Sequence, residues 1–248
     1  MSGKKVLIDG HRGNLDFVPE NTMDSFRSAV GLGVDAVETD IHLSSDNALV
    51  LIHDHTVDRT TDGTGLVREK TFEELEALNA GTAEHPAKIP TLREFLEYCA
   101  GVPELIVILE VKVYKNDEGA EKVAYAVDET VKLCEELGLC DRVIFNSFDA
   151  YVLEYLYKTY GKRFRIEGFY PFSVMENVTV DPAEYIDSAC YWAKGEEAKR
   201  ICSELKEMGV EPWVSNVDED GFFEAVALGC TMVTHNDPAK AMRWRERL

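Results

Sequence analysis

The chain has 248 residues, 45% of them apolar and 29% charged, a balance that excludes disorder and suits one large α/β domain with a full core. Lys plus Arg number 26 against 46 Asp plus Glu, a net charge of −20. So acidic a surface repels nucleic-acid backbones and anionic lipid headgroups, so neither nucleic acid nor stable membrane association is expected; a small anionic substrate needs only local cations in its site.

In chain order, Met1 to Asp9 offers only Val6-Leu7-Ile8 as an apolar run, too short for a secretory leader, and no stretch approaches the ~18 apolar residues of a membrane span. A cytoplasmic location is therefore expected. Val6–Asp9 reads as a buried strand, and Asn21-Thr22 precedes a helix from Met23 to Leu32 closed by Gly33. Val34–Leu43 and Ala48–His53 are strands, and Thr91 with Glu94 caps a helix reaching Ala100. Leu105–Val113 is a β-branched strand, and Glu118–Leu137 a long amphipathic helix. Arg142–Ser147 is a strand followed by a helix to Tyr160; Arg165–Phe169 and Ile186–Trp192 are further strands. Glu196–Met208 is a helix, Glu211–Asn216 a strand, Glu219–Leu228 a helix and Thr231–His235 the last strand, before a basic helical end. Six cysteines lie scattered without a CxxC pair, so reduced thiols are expected.

Only Ser44-Ser45-Asp46-Asn47 separates the second strand from the third, far too few residues for a parallel crossover. These two must form a hairpin, with Asp46-Asn47 as its turn. Removing the return arm leaves eight parallel strands, the number of a (β/α)8 TIM barrel, here one domain over residues 1–248. An open doubly wound sheet would want a glycine-rich phosphate loop, and neither GxGxxG nor a Walker A sequence occurs.

Barrel chemistry sits at the carboxyl ends of strands. Those ends carry His11-Arg12-Gly13, then Glu38 and Asp40 at i, i+2 on one face, then His53, and then Glu110 and Lys112 at i, i+2. A two-residue turn would set Ser45 against Ala48 and hence His53 opposite Asp40, ~5 Å away. Glu38, Asp40 and Glu110 form an all-oxygen set suited to Mg²⁺ or Ca²⁺. His11 and His53 are candidates for proton transfer, and Arg12 and Lys112 supply charge for a phosphate. Structural ion pairs, Glu38 with Arg12 and Glu110 with Lys112, are the alternative for these groups. His42 is expected to face away from Asp40, His85 falls in a polar loop, and His55 and His235 lie near the mouth without an assigned part.

At these residues the sequence resembles the glycerophosphodiester phosphodiesterase family, among the phosphatidylinositol-phospholipase-C-like barrels. The resemblance runs through His11-Arg12-Gly13, Pro19-Glu20-Asn21-Thr22, Glu38-Thr39-Asp40, His53-Asp54, Arg59-Thr60-Thr61, Ile89-Pro90-Thr91-Leu92, Glu110-Val111-Lys112, Ser147-Phe148, Trp213 with Asn216, and Asp237-Pro238. It implies a TIM barrel with a small insertion, about residues 54–90, over the mouth. It implies one divalent metal ion, Mg²⁺ or Ca²⁺, on Glu38, Asp40 and Glu110. It implies His11 and His53 as the acid–base pair, without fixing which is which, and Arg12, Lys112 and Trp213 as phosphate or substrate contacts. The reaction implied is hydrolysis of a glycerophosphodiester to an alcohol and sn-glycerol 3-phosphate. Thr234-His235-Asn236-Asp237-Pro238 and Val214-Ser215 depart from the family's pattern at the rim. Two competing readings stand beside this one. A lysophospholipase D-type hydrolase would want an apolar groove, for which Phe169, Tyr170, Phe172, Tyr191 and Trp192 are candidates. A catalytically silent barrel would bind a phosphorylated metabolite.

Overall fold

In the computed structural model, which describes residues 5–248, eight parallel strands close on themselves. Residues 1–4, part of the Met1–Asp9 stretch read above, lie outside the described residues. The strands are β1 (Leu7–Gly10), β2 (Ala36–Leu43), β4 (Ile106–Val111), β5 (Val143–Asn146), β6 (Arg165–Phe169), β7 (Ser188–Tyr191), β8 (Glu211–Ser215) and β9 (Met232–His235), with β3 (Leu49–Leu51) antiparallel on β2. They run in the order β1-β9-β8-β7-β6-β5-β4-β2, and Asp9 opposite Ala36 closes β1 onto β2. The helices are α1 (Met23–Leu32), α2 (Phe72–Glu76), α3 (Leu92–Ala100), α4 (Lys115–Glu118), α5 (Ala120–Glu136), α6 (Ala150–Tyr160), α7 (Gly195–Glu207), α8 (Glu219–Ala227) and α9 (Pro238–Arg245). Thr22 caps α1 by accepting from the Ser25 amide, and left-handed Gly33 ends it, as its sequence anticipates. The β6–β7 connection holds only 3-10 turns, Phe172–Val174 and Pro182–Glu184, in place of a helix.

Alternation along each strand stacks the barrel interior in layers. Ala36, Ile108, Ile144, Trp213 and Met232 form an apolar cluster. Two residues further along the same strands come Glu38, Glu110, Asn146, Ser215 and Thr234, all lining one cavity. Two further still, three strands deliver Asp40, Lys112 and Phe148. The barrel therefore turns from apolar to polar within one repeat of its pleat.

Three expectations need correction. The hairpin pairs Ile41 with Leu51, His42 with Val50 and Leu43 with Leu49, one residue off the predicted register. The loop is three residues long: the Ser44 amide donates to the Ala48 carbonyl at 2.9 Å, the Ala48 amide donates to Ser44 Oγ at 2.8 Å, and Asn47 takes φ 68°. Asp40 thus meets Ile52, whose amide donates to the Asp40 carbonyl at 3.2 Å, and His53 lies beyond the strand. Period two also sets His42 on Asp40's side, not away from it. Lastly, Gly119 at φ 87° splits the long helix, so α5 begins at Ala120. Within residues 54–90, α2 was not anticipated; Thr71 and Glu74 form its capping box. Leu75 of α2 packs with Val50, Ile52, Val57, Val67, Ala80 and Ile89 in a cluster separate from the barrel core.

Candidate active site

β4 takes one edge of β2 from Ala36 to Ile41. On the other edge β1 covers Ala36 and Val37, and β3 covers Ile41 to Leu43. The residues leaving β1 and those leaving β3 therefore meet over the same stretch of β2, which brings His11, Arg12 and His53 to one cavity of about 240 Å³ with Glu38, Glu110 and Lys112. The turn after β1 is shaped by Ser25, whose hydroxyl donates to the Arg12 carbonyl and accepts from the Asn14 amide, both at 2.9 Å. Gly13 sits at φ 90°, where a Cβ would collide with Ser25. This turn aims the Arg12 amide at Glu38 Oε2, 2.9 Å away.

Oxygens of Glu38, Asp40 and Glu110 lie within 4.8 Å of one another and are buried. Lys112 Nζ is 3.2 Å from Asp40 Oδ1 and also contacts Glu110 Oε1, while Arg12 Nε is 3.5 Å from Asp40 Oδ2. Of the two expected ion pairs, Glu110 with Lys112 forms, whereas the Arg12 guanidinium goes to Asp40 and Glu20 and meets Glu38 only through its backbone amide, so the carboxylates remain under-compensated. Burial, then Asp40 and Glu110, push the Glu38 carboxyl well above the usual range. Burial also raises Glu110, with Lys112 opposing it. Asp40 goes the other way: burial is outweighed by Lys112, His53 and Arg12, which hold it low. Glu38 Oε1 finds no hydrogen-bond partner among the described residues. An oxygen-only, buried and partly unpartnered set of this kind fits a hard divalent cation.

The two histidines have different partners. His11 Nδ1 lies 2.6 Å from Asn236 Oδ1, and its Nε2 is 3.9 Å from Glu38 Oε2. With the amide oxygen as acceptor, Nδ1 carries the proton and Nε2 is bare. Burial, then the Arg12 charge, pushes the His11 ring down to about 4, so it is neutral at pH 7. His53 Nδ1 instead lies 2.6 Å from Asp54 Oδ1. His42, held neutral by burial with a pKa of about 3, donates from Nε2 to the His53 carbonyl at 3.2 Å.

Beyond the anticipated residues, Asn21 and Asn236 support the site. Asn21 Nδ2 donates to Asp40 Oδ2 at 2.8 Å, and its Oδ1 accepts from Thr39 Oγ1. The signal for Asn236 was its position two residues past inward-facing Thr234. Asp9 and Glu167 also line the cavity; burial pushes them to about 7 and about 8, with Thr234 and Asn146 respectively opposing. Phe148, Phe169 and Trp192 form an aromatic ladder on the far wall, with centroids 3.6 and 5.5 Å apart and planes within 16°. Phe169 and Trp192 of the proposed apolar groove line the cavity; Tyr191 instead packs against Cys202 and Cys230, and Tyr170 donates to Glu204. Trp213, expected as a substrate contact, does not line the cavity. It is 1% exposed in the apolar layer, and its indole donates to Thr231 Oγ1 at 3.0 Å, because it faces inward one layer below Ser215. His55 packs between His42 and Tyr114, and His235 Nε2 donates to the Val217 carbonyl, so neither reaches the cavity.

Residues 11–173 match the sequence model of the glycerophosphoryl diester phosphodiesterase family. A glycerophosphodiester phosphodiesterase from Caldanaerobacter subterraneus subsp. tengcongensis is 40% identical over 153 residues, 60% of each chain. The human glycerophosphodiester phosphodiesterase 1 is 42% identical over 128 residues, 48% of this chain and 38% of its own. The matches span 60% and 38% of these curated relatives' lengths, less than two thirds of each. Among solved structures, an Oleispira antarctica phosphodiesterase in complex with the product sn-glycerol-3-phosphate superposes with a TM-score of 0.82 at 23% identity, covering 97% of this chain and 96% of its own. A glycerophosphodiester phosphodiesterase from Agrobacterium tumefaciens gives 0.76 at 25% identity, covering 96% and 99%.

Proposed function

Because the chain belongs to the glycerophosphoryl diester phosphodiesterase family, we propose that it hydrolyses a glycerophosphodiester to an alcohol and sn-glycerol 3-phosphate. The observation that carries this reading is the meeting of two histidines, three carboxylates and two cationic side chains around one cavity. Glu38, Asp40 and Glu110 would hold one divalent ion, Mg²⁺ or Ca²⁺. Such an ion supplies Lewis-acid neutralisation of a phosphate oxygen's charge.

The chain's own groups supply the rest. His11 Nε2, bare because Asn236 holds the proton on Nδ1, takes a proton from the attacking hydroxyl, either water or the glycerol oxygen beside the phosphate; in the second case a cyclic phosphate forms, which water then opens to glycerol 3-phosphate with the two histidines exchanging roles. His53, backed by the Asp54 carboxylate, gives a proton to the departing alcohol oxygen. The amide oxygen of Asn236 behind one ring and the carboxylate of Asp54 behind the other are the geometric difference that supports this division. Arg12 and Lys112 offset the charge growing on the phosphoryl oxygens. A cytoplasmic location goes with this reading, supported by six cysteines outside any disulfide. No helix among the described residues is long and apolar enough to cross a membrane.

The test is release of glycerol 3-phosphate from glycerophosphocholine and glycerophosphoethanolamine by metal-stripped protein, then with Mg²⁺ or Ca²⁺ restored. Metal-restored release is expected. The aromatic ladder favours a second reading, hydrolysis of a lysophospholipid by the same groups. Turnover of an acyl lysolipid but not of the short diesters would select it. Binding of either class without turnover would select the silent barrel and overturn both.

A further inference from the structure

His53 lies past the end of β3, so no barrel register fixes it. Arg12 lies in the turn after β1, at φ 51°. Something other than sheet pairing must hold these two groups in relation to each other. One side chain touches the partners of both. Arg59, from the insertion, reaches Glu20 through Nη1 and Nη2 at 2.8 and 2.7 Å, and reaches Asp54 through Nε and Nη2 at 2.7 and 3.0 Å. Glu20 in turn accepts from Arg12 Nη1 at 2.9 Å, and Asp54 accepts from His53 Nδ1 at 2.6 Å.

We propose that Arg59 is a positioning residue that clamps the proton-transferring His53 and the phosphate-facing Arg12 into one arrangement, making the insertion a working part of the site. The inference rests on the functional reading above. A guanidinium is suited to it: planar, with donors on adjacent edges, it forks onto two carboxylates at once, which an ammonium cannot do. A single exposed ion pair fixes little, but here both forks are two-pronged and each carboxylate is tied onward to a group in the cavity. Small misplacements of reacting groups are costly even when the fold is untouched.

The test compares Arg59→Met, Arg59→Ala and Arg59→Lys with the metal-loaded wild type. Arg59→Met should lower kcat/KM by roughly 10- to 100-fold while the melting temperature stays within a few degrees. Arg59→Lys should recover only part of the loss, and added guanidinium should partly restore Arg59→Ala where ammonium does not. The His53 Nδ1 proton, followed by NMR, should broaden or shift on Arg59→Met. Wild-type kcat/KM in Arg59→Met, or a loss that follows a fallen melting temperature and ignores guanidinium, would overturn the clamp. If the wild type turns over no diester at all, the functional reading fails separately, and the His53 resonance still decides the clamp: unchanged in Arg59→Met, it refutes it.

Discussion

The two walls of the cavity are built on different principles. The charged wall takes Glu38, Asp40 and Glu110 from β2 and β4, fixed by strand register, and Lys112 just past β4, whose amide donates to the Ile41 carbonyl. The aromatic wall takes Phe148, Phe169 and Trp192 from the carboxyl ends of β5, β6 and β7, and its rings are fixed by stacking on one another, with Trp192 half exposed. The three carboxylates that would hold a metal ion sit where hydrogen-bonded strands set distances. On the proposed function, contact with a variable alcohol would suit a wall whose outermost member is half exposed.

The largest break in that contrast should come from the charged side. His11→Ala or His53→Ala should cut kcat by ~10² or more with circular dichroism unchanged, and steady-state rates check it. A sharper probe makes the histidines alike: Asn236→Asp sets a carboxylate behind His11. The charged ring is then favoured, its pKa rises from about 4, and the acid limb of the pH–rate profile should move to higher pH. Below that in size is a stability effect confined to the polar layer. Folded Asp9 and Glu167 keep their protons to about 7 and about 8, while the unfolded chain loses them near 3.8 and 4.5. The native state thus binds more protons between those limits, so its stability falls as pH rises from about 4 to about 8. Asp9→Asn should flatten that fall and raise the pH 8 melting temperature, by about 2–4 °C per kcal/mol regained, as read by calorimetry. The smallest effect belongs to the aromatic wall: Trp192→Ala should change KM a few-fold, differently for different alcohols, with kcat kept.

The charged wall was legible in the sequence because period-two spacing is insensitive to register: Glu38 with Asp40, and Glu110 with Lys112, share a face wherever the strand begins. What depended on register was misread. His53 was reached by counting through a hairpin, and a left-handed Asn47 with a Ser44 bond added one loop residue. His42 should have been read by the same alternation that linked Glu38 to Asp40. Trp213 shows the limit of a motif position: its strand is right, but the side chain lies one layer too deep to touch a ligand. The ladder was half legible, since apolar rings at strand ends look alike whether they stack at a mouth or pack beneath a helix, as Tyr191 does.

The position of β3 has a consequence for thermal behaviour. β3 faces two ways: Leu49 and Leu51 pack in the barrel core, while Val50 and the following Ile52 join the small apolar cluster of the insertion, next to His53. Such a unit can open as a separate cooperative step, below the free energy of global unfolding. On warming, opening of the insertion should release Asp54 and Arg59, and with them the proposed proton donor His53, while the barrel is still folded, so loss of the proposed activity should precede loss of tertiary structure and reverse on cooling. Amide exchange would report the order directly, with Val57, Val67 and Leu75 exchanging ahead of Val107 and Leu109 in β4.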